Sequence, residues 1–400
     1  MFNISLILAS IAALYFFGLD WRFTPLYLCA FIAIVQLILK TKPNKKWLML
    51  GGLSILLTGT LLLFLPTIKF NPLSGEYAVG VTEIEIHDNS RQRTLPSKIW
   101  FPITDTTGLS RKQLWITDFD QVSQALAKLS KVPAFTFSHL RNMTAGYSAN
   151  YESRVINNKP LILLSHGRSA IKEFNTFMAL ELASLGYTVA TVNHTSGALV
   201  TVLNDGTVIP FDKKEFGEEK EYEEDEKLRI VQALGKKWAT DLRFLEMRIK
   251  EALNLSSNHN TIAAGHSTGG GASINYCSSS KTCLGAIGLD PWFKPVSSEI
   301  LIEGSNKPVL NLFSDPEEAD MEAINQDRYM IMATAMQERD IFVEAQYIDK
   351  SGHVDFCDAA LISPYSYLLG QDKGKVSTHK VMDEINKLSL EFIQMLQVEK

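Results

Sequence analysis

The residues Gly265-His266-Ser267-Thr268-Gly269 directly follow the apolar run Thr261 to Ala264 and lead into a helix-like stretch over 269 to 278. A serine held on so sharp a strand-to-helix turn presents its hydroxyl for attack on a carbonyl carbon. The turn is strained and admits no bulky side chain two residues before or after the serine. Gly265 and Gly269 meet that condition. A serine hydroxyl is a weak nucleophile unless a histidine takes its proton and a carboxylate orients the histidine. Of the eight histidines, those after Ser267 are His353 and His379. With the chain order serine, acid, histidine that accompanies such a turn, the base is expected at His353, in Lys350-Ser351-Gly352-His353 past the last predicted strand. His379, at the start of the final predicted helix, is expected on the surface. Two carboxylates end predicted strands, Asp290 and Asp315, both at strand C-termini where active sites of open α/β sheets form. Spacing does not choose between them. An oxyanion would be met by the backbone N–H of Thr268 and by one from the loop after the first parallel strand, Ser165-His166-Gly167-Arg168.

These residues need a scaffold, and the flanking pattern predicts one. A period of two over Val79, Val81, Ile84 and Ile86, then Ile99 to Phe101, predicts an antiparallel pair opening a sheet. Short apolar runs follow at 161–164, 188–192, 261–264, 284–289, 309–313 and 342–348. They alternate with helical stretches at 171–185, 228–254, 269–278, 318–337 and 376–397. That rhythm predicts an α/β fold with a mostly parallel sheet covered on both faces. Two segments break it, 104–158 and 195–227, each longer than an ordinary connection and expected to be a cap or an excursion. Within the second, Glu215 to Glu226 holds eight acids against Lys220, which reads either as a solvated surface or as an acidic lid.

The head of the chain differs from this body. Residues up to 69 carry Arg22, Lys40, Lys42, Lys45, Lys46 and Lys69 against Asp20, a balance of +5, and the chain as a whole carries -5, which leaves -10 for residues 70–400. A mean hydropathy of +0.01 therefore averages an apolar head with an acidic body. Three apolar stretches, Met1–Leu19, Phe23–Leu39 and Trp47–Pro66, predict three transmembrane helices, since roughly 20 residues cross the hydrocarbon core. The first lacks the basic start and small-residue cleavage site of a signal peptide. Four lysines in Lys40 to Lys46 mark that loop as cytoplasmic. Residues 1–68 are then a membrane anchor, and 69–400 a catalytic domain in the periplasm or outside the cell. Cys277 and Cys283 are expected either to bridge in that compartment or to stay as buried thiols.

An acidic body excludes a general nucleic-acid binder, which needs clustered Lys and Arg. HExxH, GxxxxGK[ST] and a GxGxxG opening a βαβ unit are all missing, so no metal or cofactor is expected. Sequons at Asn142 and Asn254 matter only in a eukaryotic secretory pathway.

Gly265 to Gly270, then Gly288-Leu289-Asp290-Pro291-Trp292, then Gly352-His353 with Phe356, resemble the platelet-activating-factor acetylhydrolase family of α/β-hydrolases. The likeness extends to Gly80-Val81-Thr82, Leu164-Ser165-His166-Gly167 and Val192-Asn193-His194, and covers residues 76–398. It implies Asp290 as the triad acid and the Arg168 amide as second oxyanion donor, with Gly167 allowing close approach. His166, which precedes Ser267, reads as a brace of that loop rather than as a ligand or base, and His194, at a strand end, as structural support. The resemblance also implies hydrolysis of short or oxidised sn-2 acyl groups of phospholipids. Thr268 in place of the frequent Phe, the membrane spans and the acidic run depart from the family pattern and bear on the substrate. Two other readings are a general carboxylesterase or polyester hydrolase using Asp315, and a catalytically inactive binding protein on the same fold.

Overall fold

The computed structural model describes residues 1–109, 112–218, 222–317, 323–369 and 372–398. Three helices open the chain: α1 (Phe2–Phe17), α2 (Thr24–Ile38) and α3 (Lys45–Phe64). Two apolar segments, Trp21–Ile38 and Lys45–Phe64, are long enough to cross a membrane. At 1.5 Å per residue the 16-residue α1 spans only about 24 Å, short of a hydrocarbon core of roughly 30 Å. Their interior holds polar side chains beside an apolar cluster of Leu6, Phe23, Leu26, Cys29, Ala33 and Trp47, and much of their outer surface is apolar too. Asn3 bonds Gln36 at 2.9 Å and accepts from the Trp47 indole at 2.8 Å inside the bundle, while Leu8, Phe31, Leu53 and Leu56 face outward.

The sheet strands are β1 (Ala78–Asp88), β2 (Arg93–Ile103), β3 (Lys112–Leu114), β4 (Thr144–Ser148), β5 (Leu161–Ser165), β6 (Val189–Val192), β7 (Val200–Val202), β8 (Val208–Pro210), β9 (Thr261–His266), β10 (Cys283–Leu289), β11 (Val309–Ser314) and β12 (Val343–Ile348). Among the described residues ten form one sheet in the order β12-β11-β10-β9-β5-β6-β2-β1-β4-β3, and β7 pairs with β8 apart from it. From β12 to β6 the sheet is parallel; β2 joins β6 antiparallel. The helices of the body are α4 (Phe119–Ser130), α5 (Thr176–Ser184), α6 (Glu224–Ala252), α7 (Thr268–Ser279), α8 (Ser298–Glu303), α9 (Ala323–Gln337), α10 (Ala359–Ile362) and α11 (Thr378–Val398).

Alternation along the buried strands sorts the core into two layers. Ile162, Leu164, Ile262, Ala264, Ile287 and Leu289 face α5 and α11, where Met178, Leu182, Val381 and Ile385 meet them. Leu161, Leu163, Ala263 and Ala286 face α6, α7 and α9 through Leu242, Leu245, Ile274 and Met332. Along α6 the buried residues Val231, Leu234, Trp238, Leu242, Leu245 and Ile249 recur at helical spacing. Its first turn holds Glu224, Asp225 and Glu226, where carboxylates favour the positive end of the helix dipole, which is why the helix begins before the predicted residue 228.

The 104–158 segment is no loose cap, since β4 pairs parallel with β1 and β3 pairs with β4. Cys277 and Cys283 are disulfide-bonded, whereas Cys29 and Cys357 are buried free thiols.

Candidate active site

Ser267 is the one residue between β9 and α7, with φ 53° and ψ -119°. A non-glycine residue in that region costs about 1–3 kcal/mol, so the surroundings must hold it there. They do so through the neighbouring strand: the Ser267 N–H donates to the Leu289 carbonyl at 3.0 Å, and its own carbonyl accepts from the Trp292 and Gly270 N–H groups, each at 2.9 Å. A Cβ on Gly265 would lie 2.3 Å from the Gly269 carbonyl oxygen, and one on Gly269 would lie 2.3 Å from that of Ser165. Gly265 is therefore dictated by the first turn of α7 folding back over β9, and Gly269 by contact with the end of β5.

Asp290 follows β10 directly, at φ 44°. Its buried carboxylate accepts from the Ser314 N–H at 2.9 Å, the Ser314 hydroxyl at 3.0 Å and His353 Nδ1 at 2.5 Å. Burial pushes its pKa up, but the His353 hydrogen bond and charge and the Ser314 N–H outweigh this and hold it below the usual carboxylate value. For His353 burial pushes down, and the Asp290 bond and charge, with the Asp372 charge, raise it above 6.5. With Nδ1–H committed to Asp290, Nε2 is the ring nitrogen left to accept a proton. A third of the His353 side chain is exposed. Asp315 is not part of this group; its carboxylate accepts from the N–H groups of Lys350 at 2.7 Å and Glu317 at 2.9 Å. His379 is exposed on α11.

Two residues not singled out by sequence reasoning fix His353. The His266 ring lies 4.6 Å from the His353 ring, and its Nε2 bonds the His353 carbonyl at 3.1 Å. Burial, then the His353 charge, depress the His266 pKa to about 3, so it stays neutral and Nε2–H donates. Asp355, fully buried, accepts from the Gly352 and Gly374 N–H groups at 3.0 and 2.7 Å, the Thr378 hydroxyl at 3.0 Å and Lys373 at 3.2 Å. The one local signal for it was an acid two residues after His353.

The loop after β5 lies against the turn: a Cβ on Gly167 would fall 2.9 Å from His266 Nδ1 and 3.2 Å from Ser267 Cβ. His166 Nε2 accepts from the His194 N–H at 3.0 Å, so the proton sits on Nδ1, which donates to the Gly167 carbonyl at 2.7 Å. Ala170 N–H reaches the same carbonyl at 3.2 Å. Because the C=O and N–H of one peptide point opposite ways, drawing the Gly167 oxygen back turns the Arg168 N–H away from these bonds. Among the described residues neither the Arg168 nor the Thr268 N–H has an acceptor. The Arg168 guanidinium pairs bidentately with Glu218, 2.5 Å for Nη2 to Oε2, and packs 5.0 Å from the Phe211 ring. Glu215 binds Lys237 at 2.6 Å. The front of the acidic run is thus tied over the loop, and its residues 219–221 lie outside the described residues.

Beneath that loop lies a second Ser-His-Asp row. Ser165 Oγ bonds His194 Nε2 at 2.8 Å, and His194 Nδ1 donates to Asp241 Oδ2 at 2.9 Å. His194 stacks on Trp238 at 4.0 Å, and Arg91 and Arg93 both reach Asp241 at 2.7 Å.

A strained serine between a parallel strand and a helix, on a mostly parallel sheet covered on both faces, defines an α/β-hydrolase. The chain belongs to the family described as platelet-activating factor acetylhydrolase, isoform II, whose profile matches residues 63–400. The platelet-activating factor acetylhydrolase of Cavia porcellus is 25% identical over 364 residues, 80% of this chain and 76% of its own, and that of Bos taurus 24% identical over 355 residues. Among solved structures, a ferulic acid esterase from Streptomyces cinnamoneus superposes with a TM-score of 0.64 at 20% identity, over 82% of this chain and 93% of its own. Family and fold together support a hydrolase acting on esters.

Proposed function

We propose that the chain is a membrane-anchored serine esterase. Ser267 attacks the ester carbonyl while His353 Nε2 takes its proton and returns it to the leaving alcohol. Asp290 holds the imidazole tautomer and stabilises the imidazolium. The Thr268 and Arg168 amides receive the oxyanion, the elbow glycines Gly265 and Gly269 hold the turn, and water releases the acyl group. The observation that carries this reading is the 2.5 Å bond from His353 to Asp290, whose preceding residue Leu289 bonds the N–H of a serine held at φ 53°.

Residues 69–400 are the catalytic domain. Residues 1–68 are the anchor, α1 to α3 being its three spans, with the Lys40 to Lys46 loop cytoplasmic and the body periplasmic or extracellular. Polar contacts inside the bundle and apolar side chains outside support the anchor, and the Cys277–Cys283 disulfide supports an oxidising compartment. The substrate proposed is a phospholipid with a short or oxidised sn-2 acyl group, in keeping with the names of the mammalian relatives. The test is hydrolysis of p-nitrophenyl esters of graded chain length by the detergent-solubilised protein, with Ser267→Ala as control. Turnover falling with chain length and lost in the variant supports the reading; a preference for long acyl chains contradicts the substrate.

A further inference from the structure

A cavity of about 1050 Å³ opens where the anchor meets the body, between the end of α1, the link after α3, and β4 with the segment before it. It is remote from Ser267, since β1 lies four places from β9 in the sheet, roughly 20 Å away at the usual strand spacing. Its wall carries four cations, Arg22 and Lys69 from the basic head and Lys112 and Arg141 from the acidic body, against Asp20. Arg22 is neutralised by Asp20 and Arg141 by Asp120. Lys69 and Lys112 have no carboxylate partner among the described residues; Lys112 lies over the Tyr147 ring at 5.9 Å. His139 also lines the cavity, and its buried Nε2 has no hydrogen-bond partner while Nδ1 meets the Thr136 carbonyl at 3.1 Å. With Nδ1–H donating, Nε2 presents a lone pair that only a donor can satisfy. Beside these polar groups Phe16 and Phe17 border the cavity and remain 73% and 50% exposed.

Two unpaired ammonium groups, one acceptor nitrogen seeking a hydroxyl and a bare apolar edge at the outer end of a membrane helix describe an anionic glycerophospholipid. We propose that this cavity is a non-catalytic site for such a lipid. Its phosphate lies between Lys69 and Lys112, a head-group hydroxyl donates to His139 Nε2, and its acyl chains run along Phe16 and Phe17. The volume, far larger than one phosphate ion needs, leaves room for a head group and glycerol. The proposal rests on residues 1–68 being a membrane anchor.

The full chain is purified in mild detergent, and retention of added dioleoyl phosphatidylglycerol and dioleoyl phosphatidylcholine is measured by native mass spectrometry. Phosphatidylglycerol should be retained at least tenfold more strongly, and Lys69→Glu/Lys112→Glu should remove that preference. His139→Phe should reduce it by a smaller factor. Hydrolysis of p-nitrophenyl acetate within twofold of the parent shows that the variants are folded. Equal retention of the two lipids, or a preference unchanged in the double variant, overturns the site. Displacement of phosphatidylglycerol by millimolar inorganic phosphate overturns the lipid in favour of a free anion. Alkaline carbonate extraction separates the premises: protein released from membranes defeats the anchor reading, while protein that stays but shows no preference defeats only the lipid site.

Discussion

Ser267, His353 and Asp290 beyond the ends of β9 and β10, and Ser165, His194 and Asp241 beneath the loop after β5, use the same three residue types on one sheet. Their histidine-to-carboxylate bonds are similar too, 2.5 and 2.9 Å. What separates them is backbone and surroundings. Ser165 ends β5 as a regular strand residue with its hydroxyl fully buried, whereas Ser267 stands on a strained turn. The His194 pKa is lowered, burial being its largest cause, against support from Asp241, while that of His353 is raised by Asp290 despite burial. Asp241 answers to two arginines as well as its histidine; among the described residues Asp290 has hydrogen bonds from Ser314 and its histidine. A Ser-His-Asp row does not by itself set its serine on a strained turn. The proposed reactive row is the one whose serine is lifted out of its strand and whose base has its pKa raised by its carboxylate.

The comparison breaks most sharply at the serines. Ser267→Ala should lower kcat for p-nitrophenyl acetate by about 10⁴–10⁶-fold, whereas Ser165→Ala should cost less than tenfold in kcat and about 1 kcal/mol in stability, read from urea unfolding. At the carboxylates, Asp290→Asn should reduce kcat by about 10⁴-fold by giving the imidazole the wrong tautomer; Asp315→Asn should stay within twofold. Equal losses at the two would reject Asp290 as the acid. Asp241→Asn should act on stability, by about 3–5 kcal/mol, because it leaves buried cations without their partner. A smaller loss of activity is expected where the two rows meet. His166→Phe removes the shorter of the two bonds to the Gly167 carbonyl, leaving that from the Ala170 N–H, and should lower kcat by about 10²-fold with KM little changed. His166→Asn, which can still donate to that carbonyl, should recover part of the loss.

The pH profile gives the finest distinction. His353 must be neutral to act as base, so kcat/KM should rise with pH through its pKa, with a midpoint above 6.5 because Asp290 holds the proton on. The same raised pKa stabilises the fold below the unfolded value, and that contribution disappears as pH rises through the folded value. A midpoint at or below 6.5 would mean that Asp290 does not act on the base.

The elbow was legible in the sequence because its constraints are local: Gly265, Ser267 and Gly269 lie within five residues of one another, and His353 sits in the loop after the last strand. Asp290 and Asp315 looked alike, since each follows a strand of the same sheet, and family likeness alone favoured the carboxylate that bonds His353. The Ser165-His194-Asp241 row was hidden because its members lie on β5, just past β6 and in the middle of α6, and come together only when α6 packs on the sheet. Strands β3 and β4 were missed for a similar reason. Each is five residues or fewer and gains its pairing from an existing sheet edge rather than from its own pattern.

Peptide mapping after reaction with a fluorophosphonate tests the central claim most directly, because only an activated serine beside an oxyanion site reacts. The expected result is one adduct per folded chain, on the peptide containing Ser267, and none on Ser267→Ala. An adduct on Ser165, or no adduct on protein shown to be folded, would contradict the assignment of Ser267 as nucleophile.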